Sequence, residues 1–122
     1  TIRWATPVKH FMRSATADAE VRGQKIAKGD WMMLCYPSGN RDEEVFDKPF
    51  EFQIDRKPNK QLAFGYGAHV CIGQHLAKLE MRLFWEEIFR RVEFVELAGE
   101  PKNSQSSFVC GPKSVPIRYK MK

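Results

Sequence analysis

The sequence of 122 residues contains no stretch of 18 apolar residues, so no part of it is suited to cross a membrane as a helix. No apolar run follows a basic start, which excludes a secretory leader among these residues. Repeats, low-complexity tracts and blocks of one charge sign are also missing. Cysteine is scarce: Cys35, Cys71 and Cys110 lie 36 and 39 residues apart, an odd number with no C-x-x-C pair. That excludes a disulfide framework, leaves a structural zinc site without paired ligands, and makes a reducing, cytoplasmic compartment the expectation.

What is present is globular in character: 43% apolar and 29% charged residues. At roughly 150 residues per domain, the length predicts one compact domain able to bury a core without staples. Position 1 is threonine rather than methionine, and a piece of a longer protein is expected. The net charge is +5, and most of the excess sits in residues 99–122, where Lys102, Lys113, Arg118, Lys120 and Lys122 face only Glu100. A near-neutral body with a basic tail is a weak signal for nucleic acid or an acidic protein partner.

Along the chain, Thr1 to Ala5 reads as a last helical turn stopped by Pro7. Val8 to Arg13 reads as extended, and Ala19–Val21 with Lys25–Ile26 as a hairpin turning at Gly23-Gln24. Trp31 to Tyr36 is a six-residue apolar run ending at Pro37, a buried strand by its length. Residues 38–60 read as loop, with one short helix opened by Asp42, Glu43 and Glu44 ahead of Val45 and Phe46. A strong helix follows Gly73. One stripe runs Ile72, Leu76, Leu79, Leu83, Phe84 and Ile88, and another runs Ala77, Met81, Trp85 and Phe89. Two stripes predict a largely buried helix, with Glu86–Arg90 and Glu87–Arg91 as i,i+4 pairs. Ser107 to Cys110 and Val115 to Tyr119, around a Gly111-Pro112 turn, read as a C-terminal strand pair. Cys35 and Cys110, in apolar patterns, read as core filler.

The stretch that carries chemistry is Phe64-Gly65-Tyr66-Gly67-Ala68-His69-Val70-Cys71-Ile72-Gly73. Its glycines permit positive φ and close approach of the main chain to a flat ligand. Cys71 stands two residues before the expected helix, whose start carries partial positive charge and free N–H groups that favour an anionic sulfur. A thiolate so held is a good iron ligand, and such ligation favours O–O cleavage. Phe64 would shield the sulfur. The plainer alternative for Cys71 is a buried structural cysteine. His69 has the alternative of a turn histidine. His69, Cys71 and His75 lack a fourth ligand for zinc. Gly65 to Val70 falls short of a dinucleotide fingerprint because Val70 stands where its third glycine belongs.

The pattern F-x-x-G-x-[HR]-x-C-x-G, filled by Phe64, Gly67, His69, Cys71 and Gly73, resembles the haem-binding signature of cytochrome P-450 monooxygenases. Other segments are similar in order and spacing. Arg3 to Val8 resembles the end of the family's E-x-x-R helix and its P-V step. Phe52 to Arg56 resembles the meander, whose arginine joins Arg3 and a glutamate in a structural triad. T-P-V-K-x-F-M-R, N-R-D-E-E-V-F and G-Q-H-L-A-K-L-E-M look most like bacterial members that hydroxylate α-terpineol.

The resemblance implies an α+β fragment of a mostly helical fold: strands and a hairpin, a meander, a cysteine-ligand loop, one long buried helix and a C-terminal strand pair. Residues 1–122 would be the C-terminal part of a haem domain, without the distal helix that delivers protons. Cys71 would be the axial haem ligand, with Arg13 and His69 on the propionates and Phe64, Gly67 and Gly73 shaping the loop. Val8, Phe11, Phe108 and Val109 fall in substrate-contact regions. The implied partners are O2, a hydrophobic, terpenoid-like substrate, and a ferredoxin-type donor near Lys78 and Arg82. No nucleic acid and no membrane are expected. The alternatives are a non-catalytic basic module for nucleic acid or an acidic protein, and an inert remnant that self-associates through exposed apolar surface. The 122 residues alone are expected not to turn over substrate.

Overall fold

A computed structural model describes all residues, Thr1 to Lys122. The chain divides into two units, residues 1–63 with 107–109, and residues 64–106 with 110–122.

The first unit opens with a helical turn, α1 (Ile2–Ala5), which ends where Thr6 takes a left-handed conformation just before Pro7. Strand β1 (His10–Ser14) pairs antiparallel with β4 (Trp31–Cys35), Met12 opposite Met33. Between them, β2 (Ala19–Val21) and β3 (Gln24–Ile26) form a hairpin. Its turn is Arg22-Gly23, both at positive φ, one residue earlier than the expected Gly23-Gln24. Two successive positive φ angles match the right-handed twist of the strands, so Gln24 stays in β3. The expected helix at 42–46 is absent. Asp42 instead forms a turn: its side chain accepts the Glu44 N–H at 2.9 Å and its carbonyl accepts those of Val45 and Phe46. Aspartate favours such local bonds over helix. The short helix here is α2 (Tyr36–Gly39), which ends the apolar run.

That run is not a buried strand. Trp31 is 77% exposed, and Met33 and Leu34 are also exposed. Cys35 is exposed too, so it is not core filler. The buried centre lies elsewhere and is partly polar. It comprises Arg3, Thr6, Tyr36, Asn40, Phe46, Pro49 and Ala63. Val109 bridges to Val8, and the Lys9 N–H donates to the Phe108 carbonyl at 2.8 Å. The rings of Phe108, Phe11 and Tyr36 follow edge to face.

The second unit is built on α3 (Gln74–Arg91), starting where the sequence predicts. Strand β5 (Val92–Leu97) follows without a loop and pairs antiparallel with β8 (Ile117–Met121). Strands β6 (Lys102–Asn103) and β7 (Pro112–Ser114) form a second small pair. The C-terminal strand therefore finds its partner in β5 and not in residues 107–110. The alternation Val92-Glu93-Phe94 and Val95-Glu96-Leu97 is the signal for β5. Glu87 takes both Arg90 and Arg91 at 2.8 Å, and Glu86 pairs with Arg82 at 3.5 Å, so the expected Glu86–Arg90 pair gives way.

The expectation that α3 is largely buried is wrong for this chain: none of its residues is buried. Leu76, Phe84, Trp85 and Phe89 are all at least half exposed. The unit has only two small sheets to set against an 18-residue helix apolar on two faces. An open apolar groove runs between α3 and the β5–β8 sheet, lined by Phe84, Ile88, Val95, Ile117 and Tyr119. No helix is long and apolar enough to cross a membrane.

A candidate haem-ligand loop

The loop from Phe64 to Gly73 is a closed bend. The Cys71 N–H donates to the Phe64 carbonyl at 2.8 Å, and the Val70 N–H to the Gly67 carbonyl at 3.0 Å, closing a short 3-10 turn over Gly67–His69. Gly65 and Gly67 carry φ of +73° and +71°. Other residues reach that region at a cost of about 1–2 kcal/mol. Cys71 ends the bend, and its carbonyl accepts the Gln74 N–H at 3.2 Å, which ties it to the first turn of α3. Its thiol is free and exposed. A Cβ at Gly73 would lie 3.9 Å from the Cys71 sulfur, in ordinary van der Waals contact with it. A Cβ at Gly67 would meet nothing within 4 Å, leaving that side of the bend open to an incoming group.

Five of the residues singled out in the sequence, Phe64, Gly67, His69, Cys71 and Gly73, share this loop. His69 is exposed at the end of the 3-10 turn. Arg13 belongs to the other unit, on β1 opposite Met32, where its Nη1 donates to the Met12 carbonyl at 2.8 Å. Cys110 is half-buried, and its thiol donates to the Ser106 carbonyl.

The family model described as cytochrome P-450 matches residues 1–120. The chain belongs to the cytochrome P-450 family. It is 60% identical over 118 residues to cytochrome P-450-terp of a Pseudomonas species, covering 97% of this chain and 28% of that protein. It is 40% identical over 116 residues to linalool 8-monooxygenase of Pseudomonas putida, covering 95% and 29%. The crystal structure of CYP108D1 from Novosphingobium aromaticivorans superposes with a TM-score of 0.94 at 53% identity, covering 99% of this chain and 29% of that one. The chain thus spans less than a third of the length of these relatives. The mixed helix and strand arrangement is that of a cytochrome P-450 fragment.

Cytochrome P-450 proteins hold haem through a cysteine thiolate. This loop fits that cofactor: a single soft sulfur donor, exposed, beside a main chain bent through glycines and open on one side. No three histidine, cysteine or acidic side chains converge anywhere to hold a metal by themselves.

The first unit brings together two arginines, Arg3 and Arg56. Arg3 is buried and donates to the carbonyls of Asn40 at 2.6 Å, Pro49 at 3.0 Å and Glu51 at 3.4 Å, with Phe46 stacked 4.9 Å away. Arg56 donates to the carbonyls of Asp47 and Lys48, and at 3.3 Å to that same Glu51 oxygen. Burial, then the charges of Arg56 and Arg41, push the Arg3 guanidinium below its ordinary pKa. Arg56 Nε is buried without a partner. Two cations on one carbonyl are short of a negative charge.

Sequence reasoning missed the role of Asn40. Fully buried, it donates to Thr6 Oγ1 at 2.8 Å and accepts the Leu62 N–H at 2.6 Å on its side chain, besides holding Arg3 on its carbonyl. Thr6 in turn donates to the Arg3 carbonyl at 2.6 Å. Only its place beside Pro37 and Gly39 in a turn-rich stretch marked it.

Proposed function

We propose that these residues are the cysteine-ligand part of a haem-thiolate monooxygenase, with 1–122 forming the C-terminal portion of its haem domain. The observation that supports this best is the Cys71 sulfur, free and exposed at the end of a closed bend directly ahead of α3. Cys71 is the axial ligand, Arg13 and His69 hold the propionates, and Phe64, Gly67 and Gly73 shape the loop. When bound, haem supplies reductive activation of O2 and insertion of one oxygen atom into a substrate. The chain's own residues bind and orient it.

The substrate of the intact protein is hydrophobic. Similar proteins are named for linalool, a steroid and a methyl-branched lipid, all apolar, and the 60% match to cytochrome P-450-terp favours a terpenoid. Val8, Phe11, Phe108 and Val109 line its site. A ferredoxin-type donor docks near Lys78 and Arg82, both exposed on α3, and the protein works in the cytoplasm. The exposed apolar side chains of α3 pack against the rest of the same protein, which also brings a carboxylate to Arg3 and Arg56. Alone, the 122 residues do not turn over substrate.

The test is turnover under isotopically labelled O2 with a ferredoxin and its reductase. The full-length protein is expected to place one labelled oxygen in a terpenoid alcohol, read by mass spectrometry. A haem-loaded, reducible protein that leaves every terpenoid and lipid offered unlabelled would overturn the reading. Product from the 122 residues alone would overturn its fragment part.

A further inference from the structure

Thr6 takes φ +36° and ψ +67°, in the left-handed region. A β-branched side chain is rare there, because its Cβ crowds the neighbouring carbonyl. Pro7 comes next, and a residue ahead of proline is driven toward extended backbone. Two local rules therefore oppose this conformation. Such strain persists only where the surroundings over-determine it.

Here every polar atom of Thr6 is engaged. Its N–H donates to the Ile2 carbonyl at 3.0 Å, and Lys9 Nζ donates to its carbonyl at 2.7 Å. Its Oγ1 donates to the Arg3 carbonyl at 2.6 Å and accepts from Asn40 Nδ2 at 2.8 Å. The residue is 1% exposed, so each of these bonds, once lost, is not replaced by bulk water.

The kink turns the chain out of α1 and into the bridge between Val8 and Val109, where the Lys9 N–H meets the Phe108 carbonyl. Residues directly opposite in an antiparallel bridge have neighbouring side chains. The Phe108 ring in turn packs edge to face on Phe11, with centroids 5.5 Å apart. Those four residues are the ones assigned to the substrate.

We infer that Thr6 is a positioning residue for substrate binding: its left-handed kink, locked by Arg3, Lys9 and Asn40, seats Val8 against Val109. That this pair touches substrate rests on the proposed monooxygenase function, whereas the seating of Val8 does not.

The test is amide exchange at Lys9 in the full-length protein, read against the Phe46 amide, whose bond to the Asp42 carbonyl reports general loosening. Thr6→Val keeps the shape and the β-branch but loses both hydroxyl bonds, so the kink should relax. Exchange at Lys9 should then rise about five- to tenfold relative to Phe46, the factor that a little over one net hydrogen bond implies. Thr6→Gly loses the same bonds but meets no steric penalty in the left-handed region, and its ratio should stay near that of wild type. Thr6→Ser, which keeps the hydroxyl, should match wild type. A merely structural role would loosen Thr6→Val and Thr6→Gly alike, at Phe46 as much as at Lys9. An unchanged ratio in Thr6→Val, or an equal rise in Thr6→Gly, would overturn the inference. Should Thr6→Val not fold, Lys9→Met takes its place: it frees the Thr6 carbonyl, and an unchanged ratio at position 9 would overturn the inference equally. In the haem-loaded protein, with linalool as the probe, the dissociation constant read from the haem absorption band should rise in Thr6→Val and hold in Thr6→Gly. Faster exchange with unchanged linalool affinity would overturn the role toward substrate. A wild type that leaves linalool unbound counts against the terpenoid reading alone, since exchange at Lys9 decides the seating of Val8 by itself.

Discussion

Asn40 and Thr6 are fully buried in the first unit, and Arg3 and Phe46 nearly so; in the second unit no side chain is buried at all. The first holds a polar hub in which Arg3, Thr6 and Asn40 satisfy one another and the carbonyls around them. The second has a longer helix, yet leaves its apolar side chains Phe84, Trp85 and Phe89 at least half exposed. A region that closes on itself depends on its own side chains for stability. A region that presents a loop and an apolar helix depends on what binds there. The two should therefore answer differently to the same substitutions.

The largest contrast is between two phenylalanines in the 122-residue chain. Phe46 is 2% exposed and Phe89 is 70% exposed. Phe46→Ala should cost about 3–5 kcal/mol of unfolding free energy in the first unit, whereas Phe89→Ala should cost less than about 0.5 kcal/mol. Denaturant titration reads both, and equal losses would abolish the contrast. In the full-length protein Phe89→Ala should become costly if the rest of the chain covers α3. Next is Asn40→Ala, which strips Thr6 and the Leu62 N–H of partners inside a buried network. A loss of about 2–3 kcal/mol is expected there. Gly67→Ala meets no atom and pays only for its backbone, about 1–2 kcal/mol. Its effect should be confined to the loop, as slower haem uptake with the first unit's melting unchanged.

The smallest effect is on pH. Glu44 forms a two-pronged pair with Arg22 at 2.7 and 3.2 Å. The hydrogen bond from Arg22, then its charge, holds the Glu44 carboxyl below the usual carboxylate range. A carboxyl depressed in the folded state stabilises above its unfolded value, and that contribution is lost as pH falls through the folded one. Both side chains are exposed, so acidification below about pH 4 should loosen the β2–β3 tip with little change in overall stability. Amide exchange of Gln24 and Lys25 measures this, and Glu44→Gln should remove the pH dependence.

The loop and the start of α3 were legible because glycine spacing, a lone cysteine and a sharp onset of helical period are local signals. The hairpin was legible too, though off by one residue, because Arg22 rather than Gln24 takes the positive φ beside Gly23. Burial was not legible. The stripes on α3 and the run from Trp31 to Tyr36 state that these residues want cover, but pattern alone does not say whether this chain supplies it. Strand β5 was hidden because it follows α3 directly, so the helical period ran into the alternation from Val92 to Leu97. The turn-rich setting of Asn40 did not reveal its burial, because a buried asparagine is defined by partners 22 and 34 residues away.

The central claim concerns the sulfur of Cys71, and the visible spectrum of the full-length, haem-loaded protein tests it most directly. Reduced and exposed to carbon monoxide, the wild type and the Cys35→Ser and Cys110→Ser variants should all show the thiolate-ligated band. Cys71→Ser should lose that band while its first unit still melts normally. A Cys71→Ser protein that keeps the band, or a wild type that binds haem without it, would contradict the account.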